Sequence, residues 1–254
     1  MILFPKIISS NPYYESRIAD DLSLLANVYQ ADKGTANAQD FAWSKDYPQH
    51  SCWQYTKTYE KYMSTAKEDQ ISMLELGVCD KRFPYASVKM WMSYFKQVDF
   101  YGVDNFWGHR IEDKKEEIEE LNKNGVNFIY ADQGSYVDWN ELNEAFPSKF
   151  DFIIDDGSHW PNHTMISLWK SIGILKSGGY FFMEDIQNPI KARGWYKYDN
   201  SLVGEELLET TITGNLYSSF LNDQQNADIK ESYELADLVL DPTRTMYLGV
   251  FKRK

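Results

Sequence analysis

One stretch of sequence decides the fold: FDFIIDDGSH, at residues 150–159. It is an apolar strand pattern that runs directly into two carboxylates, a glycine and a histidine. A second stretch, GYFFMED at residues 179–185, likewise has an apolar body and an acidic end. In an open parallel sheet, ligands bind at the carboxyl ends of the strands. Two neighbouring strands of this kind would bring several carboxylates and one imidazole to one site, which suits a hard divalent cation with a general base beside it.

Strands and helices alternate around these two stretches. The predicted strands are Ile71–Gly77, Val98–Asp104, Val126–Ala131, Phe150–Asp155 and Tyr180–Glu184. Helical patterns, among them Ala86–Phe95 and Trp160–Leu175, separate them. Near-continuous apolar strands that alternate with helices predict an α/β fold, with a mostly parallel sheet and helices on both of its faces.

The two ends of the chain depart from this alternation. Near the C-terminus, Glu231–Leu240 and Thr245–Lys252 flank the turn-forming residues 241–244, which predicts an antiparallel pair that closes the sheet. A helix is predicted over Leu202–Leu221, before this pair. At the other end, two helical patterns precede the first strand. We therefore expect residues 1–66 to form a helical lead-in to an α/β domain at residues 67–254.

Charge and composition exclude several classes of partner. The 254 residues carry a formal net charge of −12, whereas non-specific nucleic-acid binding needs a basic surface and anionic membranes attract basic segments. No apolar run approaches the roughly 20 residues of a membrane span, and the short apolar N-terminus lacks the basic start of a signal peptide. The two cysteines, Cys52 and Cys79, have no metal-type spacing, so a cytoplasmic location is expected.

The strand ends supply candidate residues for a nucleoside-like ligand. Glu75 and Gly77 end the first strand, and no second glycine follows at the spacing of the G-x-G-x-x-G fingerprint, so a pyrophosphate-binding loop is poorly supported. Asp104 ends the second strand, where an acidic residue accepts hydrogen bonds from ribose hydroxyls. Asp132 follows the third strand and is placed to face an adenine edge. The alternative for both aspartates is that they act as helix N-caps.

Five residues form the predicted acidic cluster: Asp155, Asp156, His159, Glu184 and Asp185. Adjacent side chains on a strand point to opposite faces, so Asp155 and Asp156 are expected to do different jobs. Glu184 and Asp185 can share a site only if the strand breaks there, which the residues that follow favour. The alternative is a set of capping and solvated carboxylates, with His159 in a hydrogen bond.

Two further features are open to more than one interpretation. His163 lies four residues after His159, the spacing of an H-x-x-x-H zinc pair on a helix, but oxygen-rich surroundings favour a packed or surface histidine. The long loop at residues 186–200 follows the acidic strand end, and such loops are often functional lids. Its aromatic residues fit either stacking on a sugar or an adenine, or packing in the core: Trp195, Tyr196 and Tyr198.

The order of these motifs resembles the class I S-adenosylmethionine (SAM)-dependent methyltransferases. The motifs are LELGV at 74–78, ASVKMW at 86–91, GVD at 102–104, IIDDGSH at 153–159 and GGYFFMED at 178–185. The nearer resemblance is to metal-dependent macrolide and sugar O-methyltransferases of the mycinamicin 2″-O-methyltransferase type, and DKGT at 32–35 and YTKTYE at 55–60 resemble the lead-in of that family. The resemblance implies a Rossmann-like methyltransferase sheet, mostly parallel with an antiparallel C-terminal strand, and makes residues 67–254 the methyltransferase domain.

The resemblance also implies a role for each candidate residue. Asp156, Glu184 and Asp185 would bind Mg²⁺, and His159 would be the general base. The SAM site would be shaped by residues at or near strand ends: Glu75, Gly77, Asp104, Asp132 and Asp155. Two residues of the lead-in would lie near the cofactor or the substrate: Lys33 and Tyr55. One stretch departs from the family, because residues 80–85 replace the small, glycine-rich residues that usually follow the first strand. The methionine end of SAM is therefore expected to be held differently.

The expected activity is Mg²⁺-dependent methylation of a sugar hydroxyl, on a glycan, a nucleotide-sugar or a glycosylated natural product. The acceptor would be a saccharide or another small molecule, and the aromatic N-terminal helices suit an interface in a homo-oligomer. Two other functions remain open on this fold, a nicotinamide-linked oxidoreductase and a non-catalytic nucleoside-binding module. The missing glycine fingerprint argues against the oxidoreductase.

Overall fold

The computed structural model describes residues 2–4, 19–34, 54–78, 85–106, 110–123, 125–146, 149–187, 209, 212–240 and 246–254, with the backbone alone at 2–4 and 187. The chain divides into two compact units. The N-terminal unit consists of Ile2–Met73 and Val78–Tyr130, and the C-terminal unit of Leu74–Gly77 and Ala131–Lys254. The division that the sequence suggests, between residues 66 and 67, stays a prediction.

The N-terminal unit has the strand order β1-β4-β3-β2. Its strands are β1 (Ile2–Phe4), β2 (Gln70–Leu76), β3 (Gln97–Asp104) and β4 (Asn127–Tyr130). The last residues of β2, from Leu74, belong to the C-terminal unit. Strands β3 and β4 are parallel, whereas β1 pairs with β4 in the antiparallel direction. The sequence pattern did not predict β1.

The helices of this unit are α1 (Leu22–Tyr29), α2 (Thr56–Met63), α3 (Ala86–Tyr94) and α4 (Lys115–Lys123). The first two lie within the predicted lead-in. Ser23 Oγ of α1 is 2.7 Å from Thr56 Oγ1 of α2, a buried hydrogen bond that joins the two helices. Tyr59 of α2 packs edge-on against Trp91 of α3, with 5.0 Å between the ring centroids. Because both rings are fully buried, the three helices share one apolar core.

The C-terminal unit has the strand order β2-β5-β6-β8-β7. Its further strands are β5 (Phe150–Asp155), β6 (Leu175–Gln187), β7 (Tyr233–Leu240) and β8 (Met246–Arg253), and its helices are α5 (Tyr136–Ala145), α6 (Pro161–Ser171) and α7 (Asp223–Ser232). Strands β5 and β6 are parallel, and β8 is antiparallel to both β6 and β7. The predicted antiparallel pair at the C-terminus is therefore confirmed.

Two predictions of local structure in this unit are wrong. The helix predicted over Leu202–Leu221 does not extend through residues 214–221, which form turns and irregular backbone. Asn222 accepts a hydrogen bond from the Gln225 amide and caps α7, so the following helix begins there. The helix predicted over Trp160–Leu175 ends at Ser171, and β6 already begins at Leu175.

The predicted architecture is confirmed: it is an α/β fold, mostly parallel, with an antiparallel C-terminal strand. Because β5 and β6 run in the same direction, their carboxyl ends lie at the same edge of the sheet. Five of the six residues of β5 are buried, as its apolar pattern indicates; the half-buried residue is Asp151, near the start of the strand. No helix among the described residues has the length and apolar character needed to span a membrane.

Candidate active site

The loop that follows β5 begins beside the end of β2. The backbone N–H of Asp156 donates a 3.0 Å hydrogen bond to the carbonyl oxygen of Leu76. The next residue of that segment, Gly77, has a φ of +84°, and a Cβ at this position would overlap the carbonyl of Asp156. Residues 156–160, here called the β5–α6 loop, then lead into α6, where Pro161 stands at the first turn. A glycine is thus required at position 77 for the loop to start where it does.

Strand β6 reaches the same edge but bulges at its acidic residues. The register against β8 shifts between Met183 and Ile186, so Glu184 and Asp185 together face a single residue of β8. Asp185 has a left-handed φ of 54°. The sequence interpretation required the strand to break here; instead it continues to Gln187 with a bulge. A bulge can re-aim a side chain without ending the strand, so a break of β6 is not needed for Asp185 to join the site.

Three of the predicted site residues come together at this edge. Asp156, His159 and Asp185 can each offer one metal-ligand atom, and these atoms all lie within 4.8 Å of one another. His159 Nε2 is 3.8 Å from Asp156 Oδ1, and His159 Nδ1 is 3.8 Å from Asp185 Oδ2. All three side chains are partly exposed. Glu184 is 4% exposed and is not a member of this group.

Asp155 is held apart from this group, as the alternation of side chains along a strand predicts. It is 3% exposed, and its Oδ1 accepts a 2.6 Å hydrogen bond from Gln133 Nε2. Its Oδ2 is buried and meets no donor among the described residues. Burial raises the pKa of Asp155 to about 6, although the hydrogen bonds from Gln133 and from the Gly157 amide act in the opposite direction.

Gln133 is a residue of this site that the sequence analysis missed. Its Nε2 also donates to Ser167 Oγ at 3.0 Å, and its Oε1 accepts a 2.9 Å hydrogen bond from the Ser158 amide. It therefore joins the end of β5, the β5–α6 loop and α6. A single glutamine between a strand and a helix has no periodicity that would mark it, so no pattern in the sequence pointed to it.

The other candidates of the C-terminal unit are Asp132 and Glu75. Asp132 is exposed, and its Oδ1 accepts a 2.8 Å hydrogen bond from the Gly134 amide, which closes a turn before α5. The N-cap of α5 is Ser135, which accepts from the Asp138 amide. Glu75 is completely buried on β2. The proposed contacts of Asp132 and Glu75 with SAM stay predictions.

Three candidates belong to the N-terminal unit. Asp104 ends β3 as predicted, and its Oδ1 accepts a 2.5 Å hydrogen bond from the Phe106 amide. Lys33 is 1% exposed, and its carbonyl oxygen accepts a hydrogen bond from the Thr56 amide. Tyr55 is completely buried beside the start of α2. Their proposed roles near SAM or the acceptor also stay predictions.

His163 has partners of its own away from the acidic group. Its ring stacks on Trp160, with 5.5 Å between the ring centroids, and its Nδ1 lies 3.0 Å from Ser158 Oγ. A Cβ on Gly134 would overlap the ring. Burial lowers the pKa of His163, and the negative charge of Asp132 raises that pKa by a smaller amount. These contacts agree with the interpretation of His163 as a packed helix residue, and His163 is not in the group that could hold a metal.

Two predictions lie outside the described residues. The unusual segment after the first strand is not described at residues 79–84, and the aromatic loop is not described at residues 188–200. The lid function of that loop, and the stacking of Trp195, Tyr196 and Tyr198, therefore stay predictions.

No family model matches the chain, but its sequence is similar to that of several curated enzymes. One is the 8-demethyl-8-(2-methoxy-α-L-rhamnosyl)-tetracenomycin-C 3′-O-methyltransferase of Streptomyces olivaceus, with 29% identity over 137 residues, 52% of this chain and 32% of that protein. Another is the mycinamicin VI 2″-O-methyltransferase of Micromonospora griseorubida, with 28% identity over 135 residues, 52% of this chain and 31% of that protein. The chain thus spans about a third of the length of the curated relatives it matches.

Solved structures show the same architecture. The MycE methyltransferase in complex with Mg, SAH and mycinamycin VI matches with a TM-score of 0.60 and 20% identity, over 94% of this chain and 56% of that chain. The O-methyltransferase from Bacillus cereus in complex with SAH matches with a TM-score of 0.50 and 12% identity, over 96% of both chains. The chain therefore has the Rossmann-like fold of class I methyltransferases, and the resemblance to sugar O-methyltransferases that its motifs indicate is confirmed.

Proposed function

We propose that the protein is a SAM- and Mg²⁺-dependent O-methyltransferase that acts on a hydroxyl of a sugar. One observation carries the proposal: Asp156, His159 and Asp185 gather at the carboxyl ends of β5 and β6. The similarity to enzymes named as sugar O-methyltransferases supports the reaction class. The relatives reported above are named as O-methyltransferases, which favours neither the nicotinamide-linked oxidoreductase nor the non-catalytic binding module.

The donor atoms of the site fit a hard divalent cation. Asp156 and Asp185 offer carboxylate oxygens within 4.8 Å of each other, and Mg²⁺ prefers oxygen ligands. In this proposal Asp156 and Asp185 hold the ion. The family resemblance adds Glu184 as a third ligand, whereas Glu184 lies outside the group of clustered ligand atoms, and substitution of Glu184 decides between the two. When bound, Mg²⁺ supplies positive charge that favours loss of a proton from a nearby hydroxyl.

His159 is the proposed general base. Each of its ring nitrogens faces a carboxylate oxygen at 3.8 Å. In a neutral imidazole one ring nitrogen carries a proton and the other can accept one, so His159 can take the proton of the sugar hydroxyl. When bound, SAM would supply the methyl group: the new O–CH₃ bond would form as the S–CH₃ bond breaks and SAH leaves, and alignment of the sugar oxygen with that methyl group would supply much of the rate.

The proposed SAM contacts in the C-terminal unit are Glu75, Gly77, Asp132 and Asp155. Those in the N-terminal unit are Asp104, Lys33 and Tyr55. Asp155 contributes by anchoring Gln133, because its Oδ1 is already engaged by that side chain. Residues 1–66 are the proposed lead-in to a methyltransferase domain at 67–254.

The acceptor is proposed to be a glycan, a nucleotide-sugar or a glycosylated natural product, so polysaccharide or natural-product biosynthesis in the cytoplasm is the proposed setting. The acidic net charge of −12 supports a neutral saccharide over a nucleic acid. A homo-oligomer is also proposed, with the aromatic N-terminal helices at its interface.

Calorimetry with SAH, NAD and Mg²⁺, each added to the purified protein, tests the reaction class. We expect binding of SAH and of Mg²⁺ and no binding of NAD. Binding of NAD in place of SAH would reject the methyltransferase in favour of the oxidoreductase. Binding of SAH without methyl transfer to any of a panel of glycosides and nucleotide-sugars would favour the non-catalytic module.

A further inference from the structure

Gln133 occupies a buried position from which it reaches three parts of the site. It is 8% exposed. Its Nε2 donates to Asp155 Oδ1 at 2.6 Å and to Ser167 Oγ at 3.0 Å, and its Oε1 accepts from the Ser158 amide at 2.9 Å. One side chain therefore ties the last residue of β5 and the middle of the β5–α6 loop to the interior of α6.

The orientation of the carboxamide follows from its partners. Ser167 Oγ donates its own proton to the carbonyl oxygen of His163, so it accepts from Gln133 Nε2. The backbone N–H of Ser158 can only donate, so Oε1 must face it. The backbone of Gln133 is held as well, because the buried Trp139 donates from Nε1 to its carbonyl oxygen at 2.9 Å.

The loop residues that Gln133 contacts come just before the proposed base. Ser158 immediately precedes His159, and Gly157 lies so close to Gln133 that a Cβ on the glycine would overlap Oε1. His159 has a left-handed φ of 57°, a conformation that is unfavourable for a residue other than glycine. Such a conformation persists only where the surrounding structure holds it in place.

We propose that Gln133 is a positioning residue for the reaction. Its carboxamide sets the β5–α6 loop so that Asp156 and His159 face Asp185. The inference rests on the proposed function for the reaction that the site performs. The position of the β5–α6 loop, which Gln133 is proposed to set, does not depend on that reaction. Gln133 acts through Ser158 and Asp155. The simpler interpretation is a buried amide that stabilises the fold and has no effect on the site.

The test compares Gln133→Met with a matched control in the full chain. Methionine keeps the volume of the side chain and removes its three hydrogen bonds. The control, Ser171→Ala, removes a buried 2.7 Å hydrogen bond between α6 and the Tyr233 hydroxyl, at the other end of the helix from the loop. Two properties are measured, the affinity for Mn²⁺ by electron paramagnetic resonance and the His159 ring resonances by NMR. The chain has four histidines, and a His159→Asn variant assigns the signal.

We expect Gln133→Met to weaken Mn²⁺ binding about 10–100-fold, as the loss of an outer-shell partner does, and to move the His159 resonances. Ser171→Ala is expected to change neither. If both properties in Gln133→Met match those of the control, the proposal is overturned. The NMR measurement needs no SAM, metal or acceptor, so it tests the role of Gln133 independently of methyl transfer. If the wild-type protein transfers no methyl group, the proposed function is rejected, but the proposal for Gln133 is not.

A second variant covers the case in which Gln133→Met does not fold. The three heavy atoms nearest to a Cβ at Gly157 all belong to Gln133, so the first effect of Gly157→Ala is a steric overlap with the Gln133 carboxamide. We expect Gly157→Ala to move the His159 resonances, and Gln133→Ala combined with Gly157→Ala to move them no further than Gln133→Ala does. Additive displacements would show that the two positions are independent and would overturn the proposal.

Discussion

Gly77 lies so close to the backbone carbonyl of Asp156 that a Cβ at position 77 would overlap it. The left-handed φ of Gly77, +84°, adds a second obstacle to any other residue. The start of the β5–α6 loop, and with it the place of the Asp156 carboxylate, therefore depends on a residue that directly follows a different strand, β2.

Gly77→Ala is expected to lower the free energy of unfolding by about 2–4 kcal/mol, since backbone strain and steric overlap both contribute. Chemical denaturation measures this loss. Gly178→Ala is the matched control, because Gly178 has a φ of +80° and a Cβ at that position would meet nothing within 4 Å. It should cost only the strain, about 1–2 kcal/mol. Equal losses in the two variants would mean that the contact with Asp156 contributes nothing.

Replacement of His159 tests the proposed base. His159→Asn keeps a residue that tolerates the left-handed φ of 57° and removes the imidazole. We expect kcat for methyl transfer to fall about 10²–10⁴-fold, the usual contribution of general base catalysis, with little change in the denaturation midpoint. Steady-state kinetics with saturating SAM measures the effect. A loss below about tenfold would assign His159 to another task.

Removal of the cation tests the proposed metal site. Excess chelator should abolish methyl transfer and added Mg²⁺ should restore it, because the hydroxyl proton is harder to remove without the cation. Turnover that continues undiminished in excess chelator would contradict the metal requirement.

The ligand set itself can be separated by substitution. Asp156→Asn and Asp185→Asn are each expected to weaken Mn²⁺ binding at least about tenfold, since both carboxylates belong to the group within 4.8 Å. Glu184→Gln should weaken it less, because the buried Glu184 is outside that group. Calorimetric titration of the three variants measures the difference. Equal losses would place Glu184 among the ligands, as the family resemblance implies.

The buried Asp155 predicts a dependence of stability on pH. Burial raises its pKa in the folded protein from the ordinary 3.8 to about 6. The folded state then binds more protons than the unfolded state between these values, so the free energy of unfolding falls as the pH rises from about 4 to about 6. This rise in the pKa of Asp155 corresponds to a change of at most about 3 kcal/mol in the free energy of unfolding. Denaturation of the metal-free protein at several pH values, compared with that of Asp155→Asn, isolates this effect. If the free energy of unfolding depends on pH in the same way in both proteins, the prediction is wrong.

The sequence correctly predicted the edge of the sheet at which the candidate site residues lie. In IIDDGSH and GGYFFMED the change from apolar to acidic residues marks the end of a strand, and parallel strands bring such ends together. The different environments of Asp155 and Asp156 followed from the same alternation. These inferences succeed because they depend on the order of residues within one element.

Other features depend on contacts between distant parts of the chain, which no local pattern reveals. Gln133 matters through partners on β5, in the β5–α6 loop and on α6. The bulge at Glu184 and Asp185 is defined only by the register against β8. The pairing of β1 with β4 joins residues at the chain start to residues 128–130, and three apolar residues are too few to show a strand period.

Two of the three clustered side chains, those of His159 and Asp185, sit on backbone with left-handed φ values of 57° and 54°. Glycine or asparagine adopts this left-handed conformation at a lower cost in free energy than histidine or aspartate does. A directed-evolution campaign that selects for heat resistance alone would therefore favour those replacements. It would enrich catalytically poor variants, so thermostable forms of this protein are better sought by screening turnover and melting temperature together.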